Sequence, residues 1–125
     1  MNNCIFCKII KGEIPCKKIY DDEEMLAFAD INPAAPVHFL VIPKKHITSL
    51  LELEKGDIGL AGRLLNKAQE LAKEPGIGGS PEPEDAGCAE NGARFVINAK
   101  RDGGQTVDHL HIHVLGGRSL GWPPG

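Results

Sequence analysis

Residues 103–115 read Gly103-Gly104-Gln105-Thr106-Val107-Asp108-His109-Leu110-His111-Ile112-His113-Val114-Leu115. Side chains alternate faces along an extended chain. His109, His111 and His113 therefore fall on one side, and Leu110, Ile112 and Val114 on the other. The period predicts a strand over about 107–115 with an apolar face for a core and a histidine-lined face opposite. Asp102-Gly103-Gly104 reads as the turn before it, and Gly116-Gly117 as its end.

Working outward, Ala93 to Asn98 reads as the preceding strand. Val37-His38-Phe39-Leu40-Val41-Ile42-Pro43 is the most apolar run and predicts a central strand closed by Pro43. Residues 17–20 and 24–29 read as a hairpin around Asp21-Asp22, and Asn32-Pro33 and Pro36 break the chain after it. Residues 4–10 predict a short helix with Phe6, Ile9 and Ile10 on one side, ended by Gly12 and Pro15, and Ser49 to Leu53 a helical turn. One long helix is expected over 55–73: Ile58, Ala61, Leu64, Leu65, Ala68, Leu71 and Ala72 recur at helical spacing, with Arg63, Lys67 and Glu70 facing away. Residues 75–92 carry Pro, Gly and four acids with Ile77 as the one large apolar residue, and read as a flexible surface loop. The sum is an α+β fold: a five-stranded antiparallel sheet with one long and one short helix.

The 125 residues fit one domain, 1–125, with 116–125 as a C-terminal tail. A net charge of −3 argues against a general nucleic-acid partner. No apolar run reaches the roughly 18 residues of a membrane span, and the first ten residues do not resemble a signal peptide. A cytoplasmic home is the expectation. There Cys4, Cys7, Cys16 and Cys88 should be thiols or metal ligands rather than disulfides.

Three readings compete for the histidines. They could be structural, although three of the chain's five at strict period two on one face are hard to read that way. They could bind metal, but successive same-face residues lie ~6.6 Å apart, so three would span ~13 Å. Zinc bonds to nitrogen are only about 2.0–2.1 Å long, so at most two could share one ion. They could be catalytic, since a neutral imidazole attacks phosphorus near neutral pH. Charge developing on phosphoryl oxygens then needs donors, which the backbone of Gly103-Gly104-Gln105 and the Thr106 hydroxyl could supply. Cys4-x-x-Cys7 is a second pattern, open to metal binding or redox chemistry.

His109-Leu110-His111-Ile112-His113-Val114-Leu115 matches the alternating motif of the histidine triad (HIT) family. Nearly the whole chain resembles the Hint branch of that family. Ile5-Phe6-x-Lys8-Ile9-Ile10, Glu13-Ile14-Pro15, Leu26-Ala27-Phe28-x-Asp30-Ile31 and His38-Phe39-Leu40-Val41-Ile42-Pro43-Lys44-Lys45-His46-Ile47 carry the likeness. So do Gly116-Gly117-Arg118 and Trp122-Pro123-Pro124-Gly125. The Fhit branch tends instead to have Pro-Arg after its triad.

The resemblance implies a homodimer with a continuous sheet. It implies binding of purine nucleoside monophosphates and hydrolysis of phosphoramidates such as adenosine 5′-phosphoramidate, with no cofactor required for catalysis. By that likeness His111 is the nucleophile, His113 contacts phosphate and assists proton transfer, and His109 orients them. Asp30 accepts hydrogen bonds from the ribose hydroxyls. Ile31, Phe6, Ile9 and Phe28 surround the base. Asn98, Gly104, Gln105 and Thr106 lie around phosphate and ribose. Cys4 and Cys7, with His46 and His109, match the ligands of a structural zinc in some relatives, the alternative being two small cysteines buried on a helix. No thioredoxin-like setting favours redox chemistry for them. Three departures stand out: Thr106 where relatives often carry Ser, Asp108 where an aromatic is common, and the length of 75–92. Asp108 should point away from His109. A dinucleoside polyphosphate hydrolase and a nucleotide- or partner-binding module are the rival functions.

Overall fold

The structure is a computed structural model, and it describes residues 3–74, 77 and 90–125. The reading of 75–92 as a flexible loop, Cys88 included, lies almost wholly outside the described residues. The elements are α1 (Ile5–Ile10), β1 (Lys18–Asp21), β2 (Met25–Ala29), β3 (Val37–Pro43), α2 (Ile58–Lys73), β4 (Ala93–Val96), α3 (Lys100–Gly103) and β5 (Ile112–Gly116). Short 3-10 turns cover Leu50–Glu52 and Lys55–Asp57. The five strands form one antiparallel sheet in the order β1-β2-β3-β5-β4.

β3 is the spine because it is apolar on both faces. Its alternation separates two cores. Val37, Phe39 and Val41 join Met25, Ala27, Ile112 and Val114 beneath Leu60, Leu64, Ala68, Leu71 and Ala72 of α2. Leu40 and Ile42 join Leu26 and Phe28 beneath Phe6 and Ile9 of α1. β5 pairs Ile112 with Val41 and His113 with Leu40. That register sends Ile112 and Val114 toward α2 and His113 toward the α1 side.

Four sequence expectations are corrected. The histidine strand starts at Ile112, not 107. β3 ends on Pro43, which has no N–H for a longer ladder, and the Leu110 amide donates instead to Ile47 O at 2.6 Å. Leu110 still reaches the α2 core and His109 and His111 are still buried, so the alternation of sides survives outside the ladder. Residues 100–103 form a helical turn, α3, where a plain turn was expected; its C-cap is Gly104 at φ 83°. β4 stops at Val96 rather than Asn98. Finally, α2 begins at Ile58 after a 3-10 turn, and Ile58 and Leu65 are 64% and 50% exposed instead of facing the core. Leu60, two residues from Ile58, takes the inward position.

Candidate active site

The histidines diverge onto separate tasks. His109 is fully buried, and its Nε2 lies 2.7 Å from Pro43 O, which can only accept. The proton therefore sits on Nε2, and the Nδ1 lone pair faces Cys4 and Cys7. Burial pushes the His109 pKa down to about 4, so the ring is neutral near pH 7.

Cys4 caps α1, and its Sγ accepts from the Cys7 amide at 3.4 Å. That first turn presents both sulfurs to the end of β3 and the approach to β5. His109 Nδ1 lies 3.4 Å from Cys4 Sγ and 3.6 Å from Cys7 Sγ. His46 Nδ1 lies 3.2 Å from both Cys7 Sγ and His109 Nδ1. All four ligand atoms fall within 4.8 Å of one another. A tetrahedral zinc with these ligand types would need separations of roughly 3.3–3.8 Å. The two sulfurs and two nitrogens fit such an ion.

His111 is buried against Phe6, edge to face at 5.1 Å between ring centres. Its Nδ1 donates to His109 O at 2.7 Å, because the carbonyl can only accept. The Nε2 lone pair is thereby left free. His113 lies beside it, with ring centres 4.9 Å apart.

A residue to which sequence reasoning gave no role completes the group. His38, buried on β3, receives the Ala34 amide on Nδ1 at 3.0 Å. A neutral imidazole that accepts on one nitrogen carries its proton on the other. His38 Nε2–H therefore donates, and His113 Nδ1 lies 3.0 Å away to accept. With that hydrogen on its Nδ1, His113 carries its own proton on Nε2. Burial first, then the neighbouring His111 and His38, lower the His113 pKa to about 4. Burial also lowers that of His38, against the pull of Asp30. The signal for His38 was present in the sequence: a histidine inside the most apolar strand, in phase with Leu40 and Ile42.

Asp30 Oδ2 stands 3.3 Å from His38 Nε2, and its Oδ1 accepts from the Asn32 amide at 2.8 Å. Asn98 Nδ2 reaches Gly104 O at 3.5 Å. The Gln105 side chain is committed to the backbone. Its Nε2 donates to Thr48 O and Val107 O, at 2.7 and 2.9 Å, and its Oε1 accepts from the Lys100 amide at 2.8 Å. It acts as a clamp on the turn that precedes the triad. Thr106 is exposed and, with Asp108, lines a cavity of about 400 Å³ that also touches Cys4 and His46. Asp108 is exposed. Phe6, Ile9 and Phe28 are buried in the α1-side core. Ile31 is 89% exposed and packs into no slot among the described residues.

Comparison with known proteins gives the family of the chain. The HIT domain family matches residues 11–120. A HIT-like protein of Synechocystis is 48% identical over 121 residues, covering 97% of this chain and 96% of the relative. A 14 kDa zinc-binding protein of Zea mays is 46% identical over 123 residues, covering 97% and 87%. The crystal structure of a HIT family hydrolase from Legionella pneumophila superposes with a TM-score of 0.85 at 45% identity, covering 98% of this chain and all of that one.

Proposed function

Because the chain belongs to the HIT family, we propose that it is a Hint-type hydrolase that cleaves purine nucleoside 5′-phosphoramidates to nucleoside monophosphates through a nucleotidyl-His111 intermediate. One observation carries this reading: the free Nε2 lone pair of His111 stands beside the Nε2–H of His113. The first is fixed by the His109 carbonyl, and the second is favoured when the His38 Nε2–H, set by the Ala34 amide, donates to His113 Nδ1. A nucleophile and a proton donor on adjacent rings suit displacement at phosphorus.

In the proposed reaction His111 Nε2 forms a bond to phosphorus while the P–N bond to the departing amine breaks. The His113 Nε2–H donates a hydrogen bond to the departing nitrogen, which takes its proton from water. Water then attacks the phospho-histidine, loses its proton to solvent and releases the monophosphate with His111 neutral again. The Thr106 hydroxyl would face the developing charge; the Gly104 and Gln105 amides, expected as donors, are instead bonded to Arg101 O and Lys100 O. Asp30 holds the ribose hydroxyls.

Cys4, Cys7, His46 and His109 would hold a zinc, which supplies structure rather than chemistry because all four positions are protein side chains. It would fix the His109 backbone, whose carbonyl orients His111. A reducing, cytoplasmic setting that keeps both thiols available is part of the proposal. A homodimer is too: β4 lies at the sheet edge with Phe95 42% exposed, and such an edge can extend a sheet across two subunits.

The test is conversion of adenosine 5′-phosphoramidate to AMP by purified protein, with diadenosine polyphosphate as the competing substrate. Wild type should prefer the phosphoramidate. His111→Ala should lose turnover by at least about a thousandfold while still binding AMP. A folded wild type that binds AMP and turns over neither substrate would leave a binding module.

A further inference from the structure

Asp30, His38 and His113 converge with ligand atoms within 4.8 Å, and two histidines with a carboxylate make a familiar metal-binding set. The hydrogen bonds argue against an ion here. The Ala34 amide occupies the His38 Nδ1 lone pair, so His38 Nε2 carries a hydrogen and has no lone pair for a metal. The cluster instead holds one shared proton donor between two acceptors: His113 Nδ1 at 3.0 Å and Asp30 Oδ2 at 3.3 Å.

That sharing links two parts of a substrate that do not touch. Building on the nucleotide reading above, we infer that His38 makes ribose recognition a condition for fast turnover. Sugar hydroxyls bound at Asp30 release the His38 Nε2–H wholly to His113, which fixes the Nε2–H that His113 offers to the departing group. An unoccupied carboxylate attracts the His38 hydrogen, because a charged acceptor outcompetes a neutral ring nitrogen. His113 is then held less firmly, and its ring is freer to take the other tautomer, with no proton at Nε2. Two hydroxyl donors on Asp30 satisfy its lone pairs and remove the competition. The mixed backbone and side-chain framework makes the response local: Asp30 Oδ1 is anchored by Asn32 N and His38 Nδ1 by Ala34 N, so the shift is confined to the bridging hydrogen and the His113 ring proton. His38 is thus a positioning residue, and the sugar hydroxyls contribute to kcat as well as to binding.

The experiment uses the full chain with adenosine, 3′-deoxyadenosine and 2′,3′-dideoxyadenosine 5′-phosphoramidates. Loss of both hydroxyls should lower kcat by about tenfold or more in addition to raising KM, since an interaction felt in the transition state appears in kcat. In His38→Leu, kcat should be low for every sugar and the ribose-to-dideoxy ratio of kcat should fall to near one, while the KM penalty persists. His38→Gln, which can still donate toward His113, should recover part of the rate. Hydroxyl effects confined to KM, or a kcat ratio unchanged in His38→Leu, would overturn the inference. If the His38 variants do not fold, the wild-type substrate series and a second readout decide. In nitrogen NMR of the His113 ring, AMP should drive the signal to a single tautomer with its proton on Nε2, and 2′,3′-dideoxy-AMP should not. That readout needs no hydrolysis. A tautomer shift in a protein that cleaves no phosphoramidate would sustain the coupling and defeat the proposed reaction. Identical His113 signals with both nucleotides would defeat the coupling whatever the assay gives.

Discussion

At the scale of single residues, two backbone groups decide the chemistry of two side chains. The His109 carbonyl sets the His111 tautomer directly, and the Ala34 amide sets that of His38, whose Nε2–H then biases His113. His113 is also held neutral, with a pKa lowered to about 4 from the ordinary 6.5. Between these values an unfolded chain binds a proton at this position that the folded chain does not, so stability rises with pH across that window. The contribution of His113 is complete above about 6.5 and is lost as pH falls through about 4. Denaturant midpoints measured from pH 4 to pH 6.5 should therefore rise less steeply in His113→Gln than in wild type; equal slopes would contradict the burial argument. Lys100 is a different kind of residue, a non-glycine at φ 62° held there by Gln105 and the α3 cap. The left-handed conformation costs a side-chain-bearing residue about 1–2 kcal/mol. Lys100→Gly should raise stability by up to about 1 kcal/mol once the backbone freedom of glycine in the unfolded chain is counted. The exposed pair with Glu52 that it forfeits is worth little. Denaturant unfolding reads the sign.

At the scale of elements, α1, the Lys44–Ile47 segment and the approach to β5 are brought together at the Cys4, Cys7, His46 and His109 cluster. Stripping metal with a chelator should lower the melting temperature by at least about 5 °C, and stoichiometric zinc should restore it. A Cys4→Ser/Cys7→Ser chain should bind far less than one equivalent by elemental analysis and melt like the stripped protein. Unaltered melting in both would remove the structural role. One amide side chain ties the α3 turn to its surroundings. Gln105→Ala removes the hydrogen bonds to Thr48 O, Val107 O and the Lys100 amide at once. It should cost about 1–2 kcal/mol of stability and, in the proposed reaction, lower kcat/KM for adenosine phosphoramidate at least about tenfold, because a loosened turn no longer holds Thr106 in place. A variant with full activity would show that the clamp is dispensable.

At the scale of the whole molecule, β4 is an edge strand among the described residues, and Phe95 on it is exposed, which is where the proposed dimer would join. Light scattering should give a dimer mass for wild type and a monomer mass for Phe95→Glu; a wild-type monomer would refute the assembly. The period-two histidine run determined which side chains face the core, and the apolar run at Val37–Pro43 determined the central strand. Both depend only on local alternation, which sequence carries directly. The 3.6-residue stripe of α2 located the helix but misplaced Ile58 and Leu65, because periodicity finds a face within a turn and packing chooses its centre. Where the β5 ladder begins could not be read locally. It depends on Pro43, some seventy positions earlier in the chain, lacking the hydrogen that a longer ladder would need. Residue types and family motifs nominated the histidines, cysteines and Asp30. Tertiary structure alone divided them into a sulfur–nitrogen cluster and a chain of imidazoles, and brought His38 into the second. The position of each imidazole proton follows from contacts between backbone and ring atoms, most of them distant in sequence and fixed only when β3 and β5 pair.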